Sequence, residues 1–289
     1  MIIGIIFNRI TWEIKQLINE LEKNQIKYEL INNQKIYYNL TKDKDLEYSV
    51  DVFLERSISY LRGLFSTAIL QMKGYHVINN YECLDLTGNK LLTTLKLIEN
   101  NIPTPKTCIA FKESSALNAI EDKVKYPAIL KPIIGSWGRL IAKLDDYNSA
   151  SANLESREVM GNILQKIYYL QKYIPTEDNK NKPTDIRVIV IGDKCIAAMG
   201  RFHPEKDFRS NVAIGGEAKF FEITSELEEI CLKASKAVKG EILGVDLMVD
   251  QGKFNVIEIN GTPQFRGITD ATGVNIAGKI VDYVLKTYK

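Results

Sequence analysis

Asp246, Glu258 and Asn260 are the residues of this chain whose types and spacing most readily do chemistry. They lie in two apolar, β-branched runs, Gly244 to Val249 and Val256 to Asn260, on either side of Asp250-Gln251-Gly252-Lys253. That tetrapeptide reads as a hairpin turn, because glycine supplies the unusual backbone angles a tight turn needs. A three-residue loop puts Asp246 opposite Glu258. Alternation along the strand puts Glu258 and Asn260 on one face, and Ile257 and Ile259 on the other. Facing carboxylates repel and stabilise a sheet poorly, but oxygen-bearing side chains that converge suit a hard cation such as Mg²⁺. A solvated strand edge with a polar residue at every second place satisfies the same pattern, so the hairpin alone leaves both readings open.

A second candidate is Lys131 followed by Gly135-Ser136-Trp137-Gly138-Arg139. Two glycines and a serine in a strand-to-strand turn leave backbone amides exposed to cradle anionic oxygens, and Lys131 can reach the same anion. Trp137 does not suit a mere hinge, although an ordinary hairpin accounts for the glycines equally well. Further on, alternation in Asp185-Ile186-Arg187 puts the two charged residues on one strand face, and Arg201 ends the next strand. The loop Phe208 to Gly216 carries the amide of Asn211 and two glycines. Glu55, Arg56 and Arg62 follow a strand of the N-terminal region, where parallel sheets bind ligands, though surface salt bridging is the readier account of them.

Elements must hold these residues. Up to about residue 87, strand-like runs (Ile2 to Phe7, Tyr28 to Ile31, Val50 to Leu54, His76 to Ile78) alternate with helical patterns at 12–24 and 58–73, which predicts βαβ units and a largely parallel sheet. No G-x-G-x-x-G follows the first strand. A helix with Leu91, Leu92, Leu95 and Ile98 on one face ends at Ile102-Pro103-Thr104-Pro105 and leads into a second, smaller domain. Its strands are expected at 107–111, 126–132, 139–144 and 168–174, with helices near 114–121 and 147–157. A polar stretch, Pro175 to Pro183, then separates a hairpin around Gly192-Asp193. Helices at about 225–239 and 274–287 flank the acidic hairpin and a loop from Thr262 to Ile268.

Composition bounds the function. The 289 residues suffice for two or three domains, and 45% hydrophobic, 26% charged residues and a net charge of +2 demand no nucleic-acid or membrane partner. No apolar run approaches the roughly 18 residues a membrane span needs. The start lacks a basic segment and a cleavage site, so the expected location is the cytoplasm. Cys83, Cys108, Cys195 and Cys231 are widely spaced, with only His76 and His203 beside them, and read as small apolar residues rather than as a zinc site or a catalytic thiol.

Lys90 at the end of the first domain, Lys131-Pro132 before a small-residue loop, the apolar strand Leu170 to Ile174, and Asp246 with Glu258-Ile259-Asn260 together resemble the ATP-grasp carboxylate-amine ligases over nearly the whole chain. Lys131 to Leu140 looks like the branch that includes RimK, LysX and ArgX. Asn8-Arg9-Ile10, Leu54 to Ser59 and Arg62-Gly63-Leu64 are closer to LysX. In LysX and ArgX an amino acid is attached to the C-terminal glutamate of a small acidic carrier protein, LysW.

The resemblance implies an α/β, three-domain ATP-grasp architecture: an N-terminal domain over 1–87, a central subdomain over 88–175 and a C-terminal subdomain over 176–289. It implies ATP and Mg²⁺ as cofactors, a LysW-type carrier and 2-aminoadipate or glutamate as partners, and it leaves self-association open. Lys90 and Lys131 would contact phosphates beneath Gly135, Ser136, Trp137, Gly138 and Arg139. Gln171, Lys172 and Tyr173 would line the adenine edge, largely through backbone groups, and Arg201 and Asn211 would sit between the nucleotide and the acceptor carboxylate. Asp246, Glu258 and Asn260 would hold the metal. Lys131, Arg187 and Arg201 would neutralise the transferred phosphoryl group. Arg201, Val212, Ala213, Gln264, Phe265, Arg266, Gly267 and Ile268 would meet the substrate. Asn89, Lys172 and Gln264 depart from the family's usual Asp, Glu and Glu.

Such an enzyme forms an acyl phosphate that an amine then displaces. Positioning and charge do the work, so no covalent protein nucleophile is needed. Gly267-Ile268 matches neither the aminoadipate nor the glutamate pattern of the family fully: Gly267 leans toward glutamate, whereas Ile268, smaller than the Phe of the glutamate pattern, leaves room for one more methylene. The LysX-like N-terminal segments favour 2-aminoadipate, with glutamate also used. A RimK-like glutamate ligase acting on ribosomal protein and an inactive nucleotide-binding module are the competing readings.

Overall fold

The computed structural model describes residues 1–41, 48–135, 138–175, 183–202 and 217–288. In chain order the elements are β1 (Ile2–Phe7), α1 (Trp12–Lys23), β2 (Lys27–Asn32), β3 (Val52–Glu55), α2 (Tyr60–Met72), β4 (His76–Ile78), α3 (Tyr81–Gly88) and α4 (Lys90–Glu99). There follow β5 (Thr107–Ala110), α5 (Glu113–Ala119) with a π turn at Ile120–Val124, β6 (Ala128–Lys131), β7 (Ala142–Leu144), α6 (Tyr147–Met160) and β8 (Tyr168–Lys172). The remainder is β9 (Asp185–Ile191), β10 (Lys194–Phe202), β11 (Glu217–Phe220), α7 (Ser225–Ala237), β12 (Ile242–Asp250), β13 (Lys253–Asn260), α8 (Arg266–Thr272) and α9 (Ile276–Thr287).

Three sheets result, in the orders β2-β1-β3-β4, β5-β8-β6-β7 and β11-β10-β9-β12-β13. The first is parallel, as the βαβ alternation predicts, and the other two are antiparallel. The second sheet buries its own core of Ala128, Leu130, Leu144, Tyr168 and Leu170 against α5 and α6. The first and third share one: Ile3, Ile5 and the α1 stripe Ile14, Leu17 and Leu21 pack with Ile189, Ile191, Ala197 and Met199, and α9 adds Ile276, Ile280 and Val284. The helical spacing of those residues is what lets α1 and α9 present apolar faces to it.

Asn79, just after β4, fastens these sheets together. It is 2% exposed. Its Nδ2 donates to Ile242 O and Gly261 O, both at 2.6 Å, and its Oδ1 accepts from Glu241 N at 2.7 Å and Ile242 N at 3.1 Å. Every donor and acceptor of the amide is used. Both ends of the β12–β13 hairpin are thereby tied to the last strand of the parallel sheet.

Several expectations need correction. In α4 it is Thr93, Thr94 and Leu97 that are buried, while Leu95 and Ile98 are more than half exposed. The threonines can face inward because Thr93 Oγ1 donates to Leu86 O at 2.7 Å and Thr94 Oγ1 shares a 2.8 Å bond with the Tyr169 hydroxyl. The segment read as a loop through Ile268 turns helical at Arg266. The acidic hairpin has a two-residue turn, with Gln251 at φ 51° and Gly252 at φ 78°, the paired left-handed angles of a type I′ turn. Asp246 still pairs with Glu258, because the register shifts by one residue between Asp246 and Leu247. Ile257 is the extra residue of a β-bulge.

Asn79→Ala is expected to leave two buried carbonyls and two buried amides without partners and to lower the unfolding free energy by about 2–4 kcal/mol. Urea titration of the two proteins measures this; an unchanged midpoint would reduce Asn79 to a spectator.

Candidate active site

One face of the third sheet is core at one end and open at the other. On β9 the residues pointing to that face are Ile191 and Ile189, buried in the shared core, and then Arg187 and Asp185. On β10, Ala197 and Met199 precede Arg201. Where the first sheet stops covering this face, a cleft of about 1100 Å³ opens, lined from all three sheets. That is ample for a nucleotide with a second ligand beside it. Between the second and third sheets the lining is apolar, with Ile129, Ile174, Met248 and Ile257. The bulge explains Ile257, which lines the cleft instead of sharing the buried face of Ile259.

The floor is charged. Asp246 is 3% exposed. It accepts from Arg187 Nε at 2.7 Å and Arg187 Nη2 at 2.6 Å, a forked pairing made possible because β9 and β12 place the two residues in register. Arg201 Nη2 lies 3.2 Å from its other side, and Asn260 Nδ2 donates to it at 3.4 Å. Arg201 also donates from Nε to Asp185, its partner in the β9–β10 register. Burial works against the Asp246 carboxylate, but Arg187 and Arg201 outweigh it and hold its pKa at about 2. Asp185 is pushed up to about 6 by burial, with the negative charge of Asp246 adding to the effect and Arg201 opposing it. Against the cost of its own burial, Arg201 is raised by the carboxylates of Asp246 and Asp185. A buried carboxylate that stays ionised this firmly is a fixed charge rather than a proton carrier.

Two lysines stand opposite. Lys90, in the first turn of α4, donates to Glu258 Oε1 at 3.0 Å and Gly135 O at 2.9 Å. Asn89 caps that helix, accepting from Leu91 N at 3.0 Å and Leu92 N at 3.4 Å, a task asparagine and aspartate do equally well. Lys131 donates to Gln171 Oε1 at 2.6 Å, and Gln171 Nε2 is held by Thr107 Oγ1 and the Tyr169 hydroxyl. Burial and the neighbouring Lys90 lower the Lys131 pKa to about 8, with Glu258 and Asp246 pulling the other way.

The structure gathers Lys90, Lys131, Gly135, Gly138, Gln171, Lys172, Tyr173, Arg187, Arg201, Asp246, Glu258 and Asn260 around this one cleft, with Gln264, Arg266 and Gly267 at its N-terminal side. Gly138 has φ 67°, a conformation that favours glycine. Arg139 follows it on the exposed side of the turn. Ser136, Trp137, Asn211, Val212 and Ala213 lie outside the described residues. Phe265 and Ile268 do not line the cleft: both are in the shared core, where Phe265 meets Trp12 edge-on at 5.9 Å. The bulk of Ile268 therefore cannot set the length of a substrate pocket. The side chains of Gln171 and Lys172 serve the protein: the first fixes Lys131 and the second bridges to Asp250 at 2.8 Å. The amides of Lys172 and Tyr173 already donate to Lys106 O and Pro127 O, so the adenine-edge expectation keeps only the remaining backbone groups.

Sequence reasoning undervalued Glu55 and Arg56. They are 3% and 8% exposed rather than on a salt-bridged surface. It missed Glu13 altogether, a buried acid that looks in sequence like an ordinary first-turn helix residue.

The donor set fits a hard cation. Lys90 occupies one oxygen of Glu258, and Asn260 spends its amide nitrogen on Asp246, which leaves a Glu258 oxygen and the Asn260 amide oxygen as donors beside the fixed negative charge of Asp246. Among the described residues no group of three His, Cys, Asp or Glu gathers. Because Asp246 neutralises two guanidinium groups, Asp246→Asn is expected to cost about 3 kcal/mol of stability or more, beyond any effect on ligand binding. Glu258→Gln, at a partly exposed pair, should cost about 1 kcal/mol or less. Chemical denaturation of the two variants checks the contrast; equal losses would remove Asp246 from its structural role.

Comparison with known proteins places the chain in a family. Residues 3–86 match the LysX preATP-grasp domain and residues 87–284 the RimK-like ATP-grasp domain. The chain is 36% identical to the glutamate–LysW ligase ArgX of Sulfolobus acidocaldarius, covering 100% of this chain and 99% of that one. It is 34% identical to the alpha-aminoadipate–LysW ligase LysX of Saccharolobus solfataricus, over 92% of this chain and 94% of that one. The crystal structure of a RimK domain ATP-grasp protein from Sphaerobacter thermophilus superposes with a TM-score of 0.77 at 19% identity, covering 99% and 100% of the two chains. No helix among the described residues is long and apolar enough to cross a membrane. A chain with this cleft, these two matched domains and relatives of this kind along its whole length belongs to the RimK-like ATP-grasp ligases.

Proposed function

We propose that the chain is an ATP- and Mg²⁺-dependent ligase that joins the amino group of a small acidic amino acid to the C-terminal glutamate of a LysW-type carrier protein. The observation that carries the chemistry is the convergence of Asp246, Glu258 and Asn260 with Lys90, Lys131, Arg187 and Arg201 on one cleft floor. The choice of carrier rests on relatives of both LysW ligase kinds. Both amino acids named by those relatives, 2-aminoadipate and glutamate, are proposed as substrates. With Ile268 in the core, the argument for 2-aminoadipate as the main one keeps only the N-terminal likeness to LysX.

In this reading the apolar walls Ile129, Ile174, Met248 and Ile257 take the nucleotide base, and the charged floor takes the phosphates. Glu258, Asn260 and Asp246 would hold Mg²⁺, which would supply positive charge to the polyphosphate. Lys131 and Lys90 add theirs from the facing wall. Arg201 is pinned between Asp185 and Asp246 and faces the cleft without needing to reorganise, so its charge is in place as the carrier carboxylate takes up the phosphoryl group. The amino group, once its ammonium form has given up a proton, then attacks the acyl carbon, and the C–N bond of the amide forms as the C–O bond to phosphate breaks. No side chain changes its covalent state, in keeping with cysteines that sit apart from the cleft lining.

Intact-mass measurement of the carrier after incubation with ATP, Mg²⁺ and either amino acid tests the assignment. A gain of one amino-acid residue with each is expected, at efficiencies within about 200-fold, since a single methylene discriminates weakly. No gain with either would refute it. Lys131 gives a second handle. It must be an ammonium to hold phosphate, and its free-enzyme pKa is about 8, so kcat/KM for ATP should fall as pH rises through that value. Lys131→Arg, which stays charged, should lack this limb; a pH profile identical in both proteins would move the titration elsewhere.

A further inference from the structure

The N-terminal wall of the cleft carries a second set of buried charges that the phosphoryl chemistry leaves unused. Glu13 is the second residue of α1, and Arg56 follows β3 at the C-terminal end of the parallel sheet. They are 4% and 8% exposed, and both line the cleft. Glu55, the residue before Arg56, shows what a purely structural acid looks like here: one oxygen accepts from Ser57 N at 2.6 Å and the other from Thr262 Oγ1 at 3.1 Å. Its neighbours are not satisfied in this way. Arg56 donates from Nη2 to Pro263 O at 2.6 Å, its Nε is buried without a partner, and its guanidinium lies 5.7 Å from the centre of the Phe265 ring. Glu13 has a single long bond, 3.4 Å, from Arg266 N. Glu13 and Glu55 are the carboxylates acting on the Arg56 charge.

A guanidinium with one neutral acceptor and a carboxylate with one long bond are costly to bury, and both line the cleft, where a ligand can complete them. The ligand must present a cation to Glu13 and an anion to Arg56 over a short distance, and an α-amino acid zwitterion has that pattern. We propose that Glu13 receives the α-ammonium group, and Arg56 the α-carboxylate, of the amino-acid substrate, on the opposite wall of the cleft from the phosphate-binding lysines. Glu13 stands in the first turn of α1, where the exposed backbone amides favour a negative side chain.

This rests on the ligase reading, and the tests separate the two. Transfer by the wild-type protein, read by carrier mass, decides that reading; steady-state kinetics of variants that still transfer decide this one. Glu13→Gln keeps the size of the side chain and an acceptor for Arg266 N. It should raise KM for glutamate or 2-aminoadipate tenfold or more and leave KM for ATP within twofold. Glutarate, which lacks the amino group, serves as a competitive probe: its inhibition constant should be unchanged in Glu13→Gln, so that the preference for glutamate over glutarate collapses. Arg56→Lys should weaken glutamate and glutarate alike, by the loss of forked pairing; should that variant fail to fold, Glu13→Gln decides alone. An unchanged KM for the amino acid in Glu13→Gln, or equal weakening of glutamate and glutarate in that variant, would overturn the proposal.

Discussion

A carboxylate at the centre of a sheet must be neutralised where it stands, and that requirement organises the third sheet. Asp246 sits on β12 beside β9 and reaches the arginines of both β9 and β10, and the strand registers bring Arg187 alongside it and Arg201 alongside Asp185. Two acids and two guanidiniums then compensate each other in a space from which water is largely excluded. Such a cluster is a weak source of net stability, because desolvation cancels much of the attraction. Its value is positional. The charges cannot drift, so a ligand meets a field that is already arranged.

The shared core decides where that field is felt. The same sheet face is dry where α1, α9 and the parallel sheet cover it, and wet two residues further along each strand. Asn79 keeps the boundary in place by fastening the parallel sheet to both ends of the acidic hairpin. The other side is closed by α4, the segment after it and the second sheet, through Lys90 on Glu258, the amide of Val256 on Pro103 O and Lys172 on Asp250. The cleft is thus a junction between units, and its walls are as firm as these few polar contacts.

Much of this was legible because charged residues inside apolar, alternating runs have few explanations. Asp185, Arg187, Asp246, Glu258 and Asn260 announce a polar face on otherwise buried strands. What stayed hidden depends on partners distant in sequence. The leucines of α4 promised an apolar face, yet the threonines turned inward because Leu86 O and the Tyr169 hydroxyl were waiting for them. Phe265 and Ile268 could be substrate wall or core, and only the packing of Trp12 and the shared core decides. Glu13 and Arg56 carry no local sign of burial, since an acid in a first turn and an arginine after a strand are ordinary surface residues elsewhere.

The bulge at Ile257 divides the hairpin into two parts with different freedoms. Inside it, toward Gly244 and Asn260, side-chain phase is fixed by the ligand-facing residues. Outside it, the ladder from Leu247–Val256 to Asp250–Lys253 is a plain two-stranded ribbon closed by a two-residue turn. Residues added there in matched pairs lengthen the ribbon and preserve the phase of everything inward, whereas a single added residue inverts it. For sequence alignment within the family, this makes Ile257 a better anchor than the glycine of the turn, and it makes the ribbon tip the place where length variation is mechanically neutral.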